Sequence, residues 1–223
     1  MSMWKQGTVA CPTCAERVRL RIAVGAHIGR APQVRAAILA RTFHRFECAC
    51  GAAITIDTSF EYTDFERKQL FLVGRVAEQP AWRDHERRLH DTIERALQLG
   101  SPHASAFMHG LTSRVVFGVE ALREKLVLAE AALDDGLVEC IKVRAIANDL
   151  TLADPRGRLV VDAVVADTLT CRWFPTREGP AASSFDLPAS WLGAALDDRA
   201  SLEARFADLF RGGYVDLDRL RPA

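Results

Sequence analysis

No run in this 223-residue chain approaches the roughly 20 consecutive apolar residues that a membrane-spanning helix requires. Residues 1–7 hold Trp4 and Lys5 but no apolar core, so no secretory leader is expected. There is no glycine-rich phosphate loop, no nucleophile elbow and no His-Glu-x-x-His helix, so the common nucleotide, acyl-transfer and metallohydrolase signatures are missing. Net charge is absent too, with 29 Lys and Arg balancing 29 Asp and Glu. What remains is the composition of an ordinary globular protein, 49% hydrophobic and 26% charged. A cytoplasmic location is the expectation. Thiols stay reduced there, so paired cysteines point to metal or redox chemistry rather than to structural disulfides.

The charge that is present is uneven. Residues 1–76 carry 11 Lys and Arg against 6 Asp and Glu, a surplus of +5, and residues 77–223 carry 18 against 23, which is −5. A surplus of that size is modest for an anionic partner and reads first as solvated surface.

Hydrophobic periodicity divides the chain. Val18, Leu20, Ile22 and Val24 alternate with Arg17, Arg19, Arg21 and Ala23, which predicts a half-buried strand. Pro32 opens a short helical run through Ala40, where its missing N–H costs nothing. Ile54 and Ile56 begin another strand, and residues 69–76 form one more. A charged helix over 82–99 carries an apolar stripe of Trp82, Leu89, Ile93, Ala96 and Leu97, and Gly100 ends it. Residues 100–112 read as a connector and Val115 to Phe117 as a short strand. Leu122, Leu126, Ala129 and Leu133 trace a helical face broken at Gly136, and a second helix over 137–147 makes a hairpin with it. Residues 150–152 and 159–165, joined by Asp154-Pro155-Arg156-Gly157, predict a β-hairpin that 168–174 extends. Residues 175–188 look like linker, and two short helices with a Gly212-Gly213 break finish the chain.

Two cysteine pairs carry the chemistry: Cys11-Pro12-Thr13-Cys14 and Cys48-Ala49-Cys50-Gly51. Zinc takes four thiolates in a tetrahedron, and two turns distant in sequence clamp it between them. Each pair precedes an apolar strand, as in a ribbon-like fold. Gly51 suits the second turn because it accepts positive φ, whereas Ala15 at the equivalent first position is less helpful. The second pair is one residue shorter, so its turn must differ. Cys140 and Cys171 fall in a helix and a strand and read as core. The rival reading of Cys-Pro-x-Cys is thiol–disulfide exchange, which needs a helix directly after the motif. The strand at 17–24 argues against that enzyme class.

None of the six histidines, His27, His44, His85, His90, His103 and His109, makes a recognisable metal pair. His44 lies near the second cysteine pair as a substitute ligand, but packing is the simpler reading. Asp134-Asp135 and Asp197-Asp198 sit at helix boundaries, where capping explains them better than acid–base catalysis. Arg83, Arg87, Arg88 and Arg95 are interleaved with Asp84, Glu86, Asp91 and Glu94, which describes a solvated helix rather than a nucleic-acid helix.

The chain resembles the CpXC family of bacterial and archaeal proteins, named for two Cys-Pro-x-Cys motifs. The resemblance rests on Cys11-Pro12-Thr13-Cys14, Phe46-Glu47-Cys48-Ala49-Cys50-Gly51 and residues 62–72, and more loosely on 117–138. The second motif departs by lacking its proline and one spacer. The resemblance implies a zinc-binding domain of uncharacterised role, with four presumed ligands and no catalytic residues to transfer.

These readings converge on an α+β protein. A zinc-ribbon-like, β-rich domain over 1–79 precedes a charged helix and connector over 80–112, then a mixed helical-hairpin and β-hairpin region over 113–223. The expected function is non-enzymatic, an adaptor or scaffold for a protein partner, with one structural Zn2+ on Cys11, Cys14, Cys48 and Cys50. The alternatives are a redox-responsive regulator using the Cys48 and Cys50 thiolates, or a nucleic-acid-binding zinc ribbon using the basic first 76 residues.

Overall fold

The computed structural model describes residues 3–98, 107–166, 168–177 and 179–220. The fold is α+β and divides into two compact units, Met1–Leu122 and Arg123–Ala223.

The first unit is built on a five-stranded sheet. Strands β1 (Met3–Ala10) and β2 (Arg17–His27) form an antiparallel hairpin across the first cysteine pair. Opposite residues such as Gln6 and Arg21, or Thr8 and Arg19, share a face. Alternation therefore sends Val9, Val18, Leu20 and Ile22 to the inside and the arginines outward, as read from the sequence. Proline sits in the first turn of α1 (Pro32–Leu39) as expected, and Arg35 of α1 donates to Tyr62 Oη at 2.9 Å and Gln69 Oε1 at 3.3 Å.

Strands β3 (Arg45–Glu47) and β4 (Ala53–Thr55) pair across the second cysteine motif as a separate two-stranded ribbon. β5 (Phe60–Asp64) returns to the main sheet beside the end of β2, parallel to it, and β6 (Gln69–Gly74) pairs antiparallel with β5. Helix α2 (Trp82–Gln98) buries only Leu89 and His85. The His85 ring meets Phe117 edge-on at 5.1 Å. The predicted end of this helix at Leu99 and Gly100, and the connector up to 106, lie outside the described residues. β7 (Thr112–Phe117) is longer than its apolar residues suggested and closes the sheet parallel to β6, giving the order β1-β2-β5-β6-β7. The division between units falls inside α3 (Val119–Glu130).

In the second unit the helix break lies earlier than Gly136. α3 stops at Glu130, Ala132 turns through φ +54°, and Asp134 caps α4 (Asp135–Asn148) by accepting from Gly136 N at 2.9 Å and Leu137 N at 3.2 Å. Gly136 thus belongs to the first turn of α4.

The expected hairpin is displaced. Leu150–Ala153 is a 3-10 turn, held by Asp149 accepting from Thr151 N, rather than a strand. The antiparallel partners are β8 (Arg158–Val165) and β9 (Thr168–Phe174). The linker reading of 175–188 also fails in part, because β10 (Ser183–Leu187) pairs with β9 and completes a sheet of order β10-β9-β8. Its serines donate no apolar signal, and only Leu187 is buried. α5 (Ala189–Asp197) and α6 (Arg199–Arg205) follow. The core of this unit gathers Val138, Ile141, Leu159, Val161, Cys171 and Leu192.

Candidate metal centre

Both cysteine pairs occupy the tips of two-stranded ribbons. In the first, Cys11 N donates to Glu16 O at 2.8 Å and Ala15 N donates to Cys11 O at 3.0 Å. In the second, Cys48 N donates to Ala52 O at 2.9 Å and Gly51 N donates to Cys48 O at 2.8 Å. The two turns close in the same way, but the second does so with one residue fewer, the residue missing from its Cys-x-Cys spacing. In each, the residue after the second cysteine is left-handed: Ala15 at φ +59° and Gly51 at φ +84°. Glycine accepts that conformation freely and alanine does not.

The turns bring all four sulfurs within 4.8 Å of one another. Cys11 Sγ lies 3.6 Å from Cys50 Sγ, and Cys14 Sγ lies 3.6 Å from Cys48 Sγ. Four thiolates about 2.3 Å from a central ion stand about 3.8 Å apart at the corners of a tetrahedron. The donor set therefore fits a thiophilic dication without rearrangement. None of the four is in a disulfide. Cys11 and Cys48 are buried against Leu20, Ile22 and Ile54, while Cys14 and Cys50 are exposed. The first cysteine of each ribbon thus ties the cluster to the core, and the second closes it from outside.

Cys11, Cys14 and Cys48 influence one another's ionisation. The backbone amides of Cys14 and Thr13 draw Cys11 down to about 6; Thr13 N stands 3.4 Å from its sulfur. The Glu16 amide also pulls Cys14 down, but the neighbouring thiols of Cys50, Cys48 and Cys11 outweigh it and push Cys14 up to about 12. Cys48 is raised as well: the Cys50 amide lowers it, and burial together with Cys11 prevails. Without metal, Cys11 thus gives up its proton more readily than an ordinary thiol, and Cys14 and Cys48 hold theirs more tightly. A dication reverses that balance by replacing the protons.

His44 is near but not of the cluster. Its Nε2 accepts from Ala23 N at 3.0 Å and its ring stacks on Phe43 at 3.9 Å. Burial pushes its pKa down to about 4, so it is a neutral packing residue at physiological pH. Cys140 and Cys171 are likewise core, with burial raising their thiols to about 11 and about 12.

One feature of the second unit escaped the sequence reading. Lys142, 2% exposed, bridges Glu124 at 2.7 Å and Glu139 at 2.8 Å. Lys125 Nζ donates to Val215 O at 2.7 Å and lies 3.2 Å from Asp135. Glu124 also accepts from Val161 N at 2.5 Å, and Glu139 accepts from Leu217 N at 3.2 Å. Burial raises Glu139 to about 7 even though Lys142 and Lys125 pull it down. This network cross-links α3, α4, β8 and the chain at 215–217. Each charge is spent on an internal partner, which describes a structural cross-link. The Arg123-Glu124-Lys125 run looks like a solvated face in sequence. The absence of any polar-only face on α3, where both Leu122 and Lys125 are buried, becomes visible only in the fold.

Among the described residues no helix is long and apolar enough to cross a membrane. A family model described as CpXC protein matches residues 9–142. No curated protein and no solved structure matches the chain.

Proposed function

The chain belongs to the CpXC protein family, and from that membership and the convergence of four thiols we propose a non-enzymatic protein stapled by one structural zinc ion. Cys11, Cys14, Cys48 and Cys50 hold the ion, and the stapled chain serves as an adaptor or scaffold for another protein. The observation that carries the metal reading is the closure of the donor set. Four thiols within 4.8 Å saturate a tetrahedral ion and leave no position for water or substrate, the hallmark of structural rather than catalytic zinc. The ion would join two ribbons that share an apolar cluster of Cys11, Leu20, Ile22, Cys48 and Ile54, with Val9, Val18, Phe46, Ala52 and Ile56 packed against it.

The adaptor reading is supported by the second unit. A shallow cleft of about 210 Å³ is lined by the apolar residues Val143, Ile146, Leu152, Ala153, Leu217 and Leu220. Leu150, two residues before the lining Leu152, is 76% exposed, and the lining Leu220 is 38% exposed. A cleft lined by apolar side chains suits a side chain of a protein partner better than a small polar substrate.

Affinity capture with the tagged full-length protein, quantified against a Leu150→Asp/Leu220→Asp variant, tests this. One protein recovered in near-stoichiometric amount by the parent and lost by the variant supports the adaptor reading. Identical capture by both, or substrate turnover abolished by a single substitution in the cleft, overturns it.

A further inference from the structure

The outward face of the β1–β2 hairpin carries more than solubility requires. Register places Trp4, Gln6 and Thr8 of β1 on the same side as Arg17, Arg19 and Arg21 of β2. All three arginines are exposed, and so are Gln6 and Thr8. The guanidinium of Arg21 sits over the Trp4 ring, 5.0 Å from its centroid. Among the described residues Arg17 and Arg19 have no ion-pair partner. Glu16, in the turn, is the one acid between Trp4 and Val24, against Lys5 and the three arginines. The strand β2 pairs with β5 only at Gly25, Ala26 and His27, so the arginine stretch is flanked by β1 alone.

Alternate residues on a strand stand about 6.6 Å apart. That spacing matches the separation of successive phosphates along an extended single strand of nucleic acid. A guanidinium fork is the side chain best matched to a phosphate. The half-buried Trp4 indole at the end of the row carries the Arg21 guanidinium over its ring. Once that guanidinium swings to a phosphate, the indole offers a stacking platform for one base, an arrangement used for sequence-tolerant single-strand binding. A duplex presents its phosphates on a curved surface and its bases already stacked, so it would use the charge but not the indole. We propose that the outer face of the β1–β2 hairpin binds single-stranded nucleic acid, with Arg17, Arg19 and Arg21 on successive phosphates and Trp4 stacked on a base. The footprint is about three to four nucleotides, and the cysteine turn closes the Arg17 end. This surface shares no residue with the apolar cleft of the second unit, so the adaptor reading and this one stand or fall independently.

Fluorescence anisotropy of a labelled 12-nucleotide oligo(dT) with the full-length, metal-replete protein tests the proposal, with the matching oligo(dA)·oligo(dT) duplex alongside. Neutralising three phosphates of a single strand gives a slope near −2 in log K against log salt, so affinity should fall roughly 20-fold between 50 and 200 mM KCl. Arg19→Gln should weaken binding at 50 mM KCl and flatten that slope by about one-third. Trp4→Leu should weaken binding about tenfold while leaving the slope unchanged. Arg88→Gln, the same charge change on α2, should leave both as in the parent. No binding to the single strand at 50 mM KCl overturns the proposal. So does an equal or tighter affinity for the duplex, displacement by polyglutamate as effective as by unlabelled oligo(dT), or an Arg88→Gln effect equal to that of Arg19→Gln. Thermal unfolding of each variant confirms that the hairpin remains folded.

Discussion

The two cysteine turns invite a pair of substitutions with opposite signs. Ala15 holds φ +59° and Gly51 holds φ +84° in equivalent places, one residue past the second cysteine of each pair. A left-handed conformation costs a residue with a Cβ about 1–2 kcal/mol. Replacing Ala15 with glycine removes that strain but gives the unfolded chain more freedom, which takes back roughly 0.5–1 kcal/mol. Ala15→Gly should therefore stabilise the metal-bound first unit by about 0.5–1 kcal/mol. Gly51→Ala should destabilise it by about 1 kcal/mol or slightly more. Nothing lies within 4 Å of a Cβ built on Gly51, so its cost is pure backbone strain without a clash. Because the energy of metal binding in such modules is also folding energy, these changes should move the midpoint of a chelator titration, up to about fivefold in each direction. Circular dichroism during titration with a competing chelator reads both variants in the same assay. A destabilising Ala15→Gly, or a Gly51→Ala indistinguishable from the parent, would refute the equivalence of the two turns.

Two further perturbations probe the cores. Lys142→Met leaves Glu124 and Glu139 buried without their shared cation and should cost about 3–5 kcal/mol in denaturant unfolding followed by tryptophan fluorescence; adding Glu139→Gln should recover part of the loss. A cost below about 1 kcal/mol would mean that the network is solvated in the folded protein. His44 is neutral in the fold and takes up a proton on unfolding, so the stability it contributes is complete above its unfolded pKa near 6.5 and is lost as pH falls toward about 4. The loss is at most about 3 kcal/mol. His44→Asn, which tolerates the observed φ of +56°, should flatten the acid limb relative to the parent at equal metal loading. Parallel profiles for the two proteins would contradict the buried, neutral histidine.

What could be read in the chain before folding follows from what leaves a local trace. Alternation at Val18, Leu20 and Ile22 marks β2 because one face is buried and the other is not, and Pro32 marks the start of α1 because a helix tolerates proline there. The four cysteines could be matched because two turn-forming pairs, each leading to an apolar strand, imply a shared ion. How the shorter pair meets the longer one could not be read. The answer lies in a turn that closes one residue sooner and in an alanine held left-handed, and neither has a compositional signature. β1 has weak alternation because Gly7 lies on its inner face, and β10 begins with two serines whose pairing partner is a strand already formed. The buried Glu124, Lys125, Glu139 and Lys142 mimic a solvated helix face, and only the surrounding β8 and the chain at 215–217 remove them from water. The arginines of β2 were visible as charge, but their grouping with Trp4 on one face required the hairpin register.

The central claim is that the four N-terminal thiols hold one zinc ion that the first unit needs in order to fold. Elemental analysis of protein purified without added metal, paired with a free-thiol count before and after denaturation, tests it most directly. The account predicts about one zinc per chain, with Cys11, Cys14, Cys48 and Cys50 unreactive until the protein is denatured. Metal-free protein with a disulfide among these four, still folded in its first unit, would contradict it.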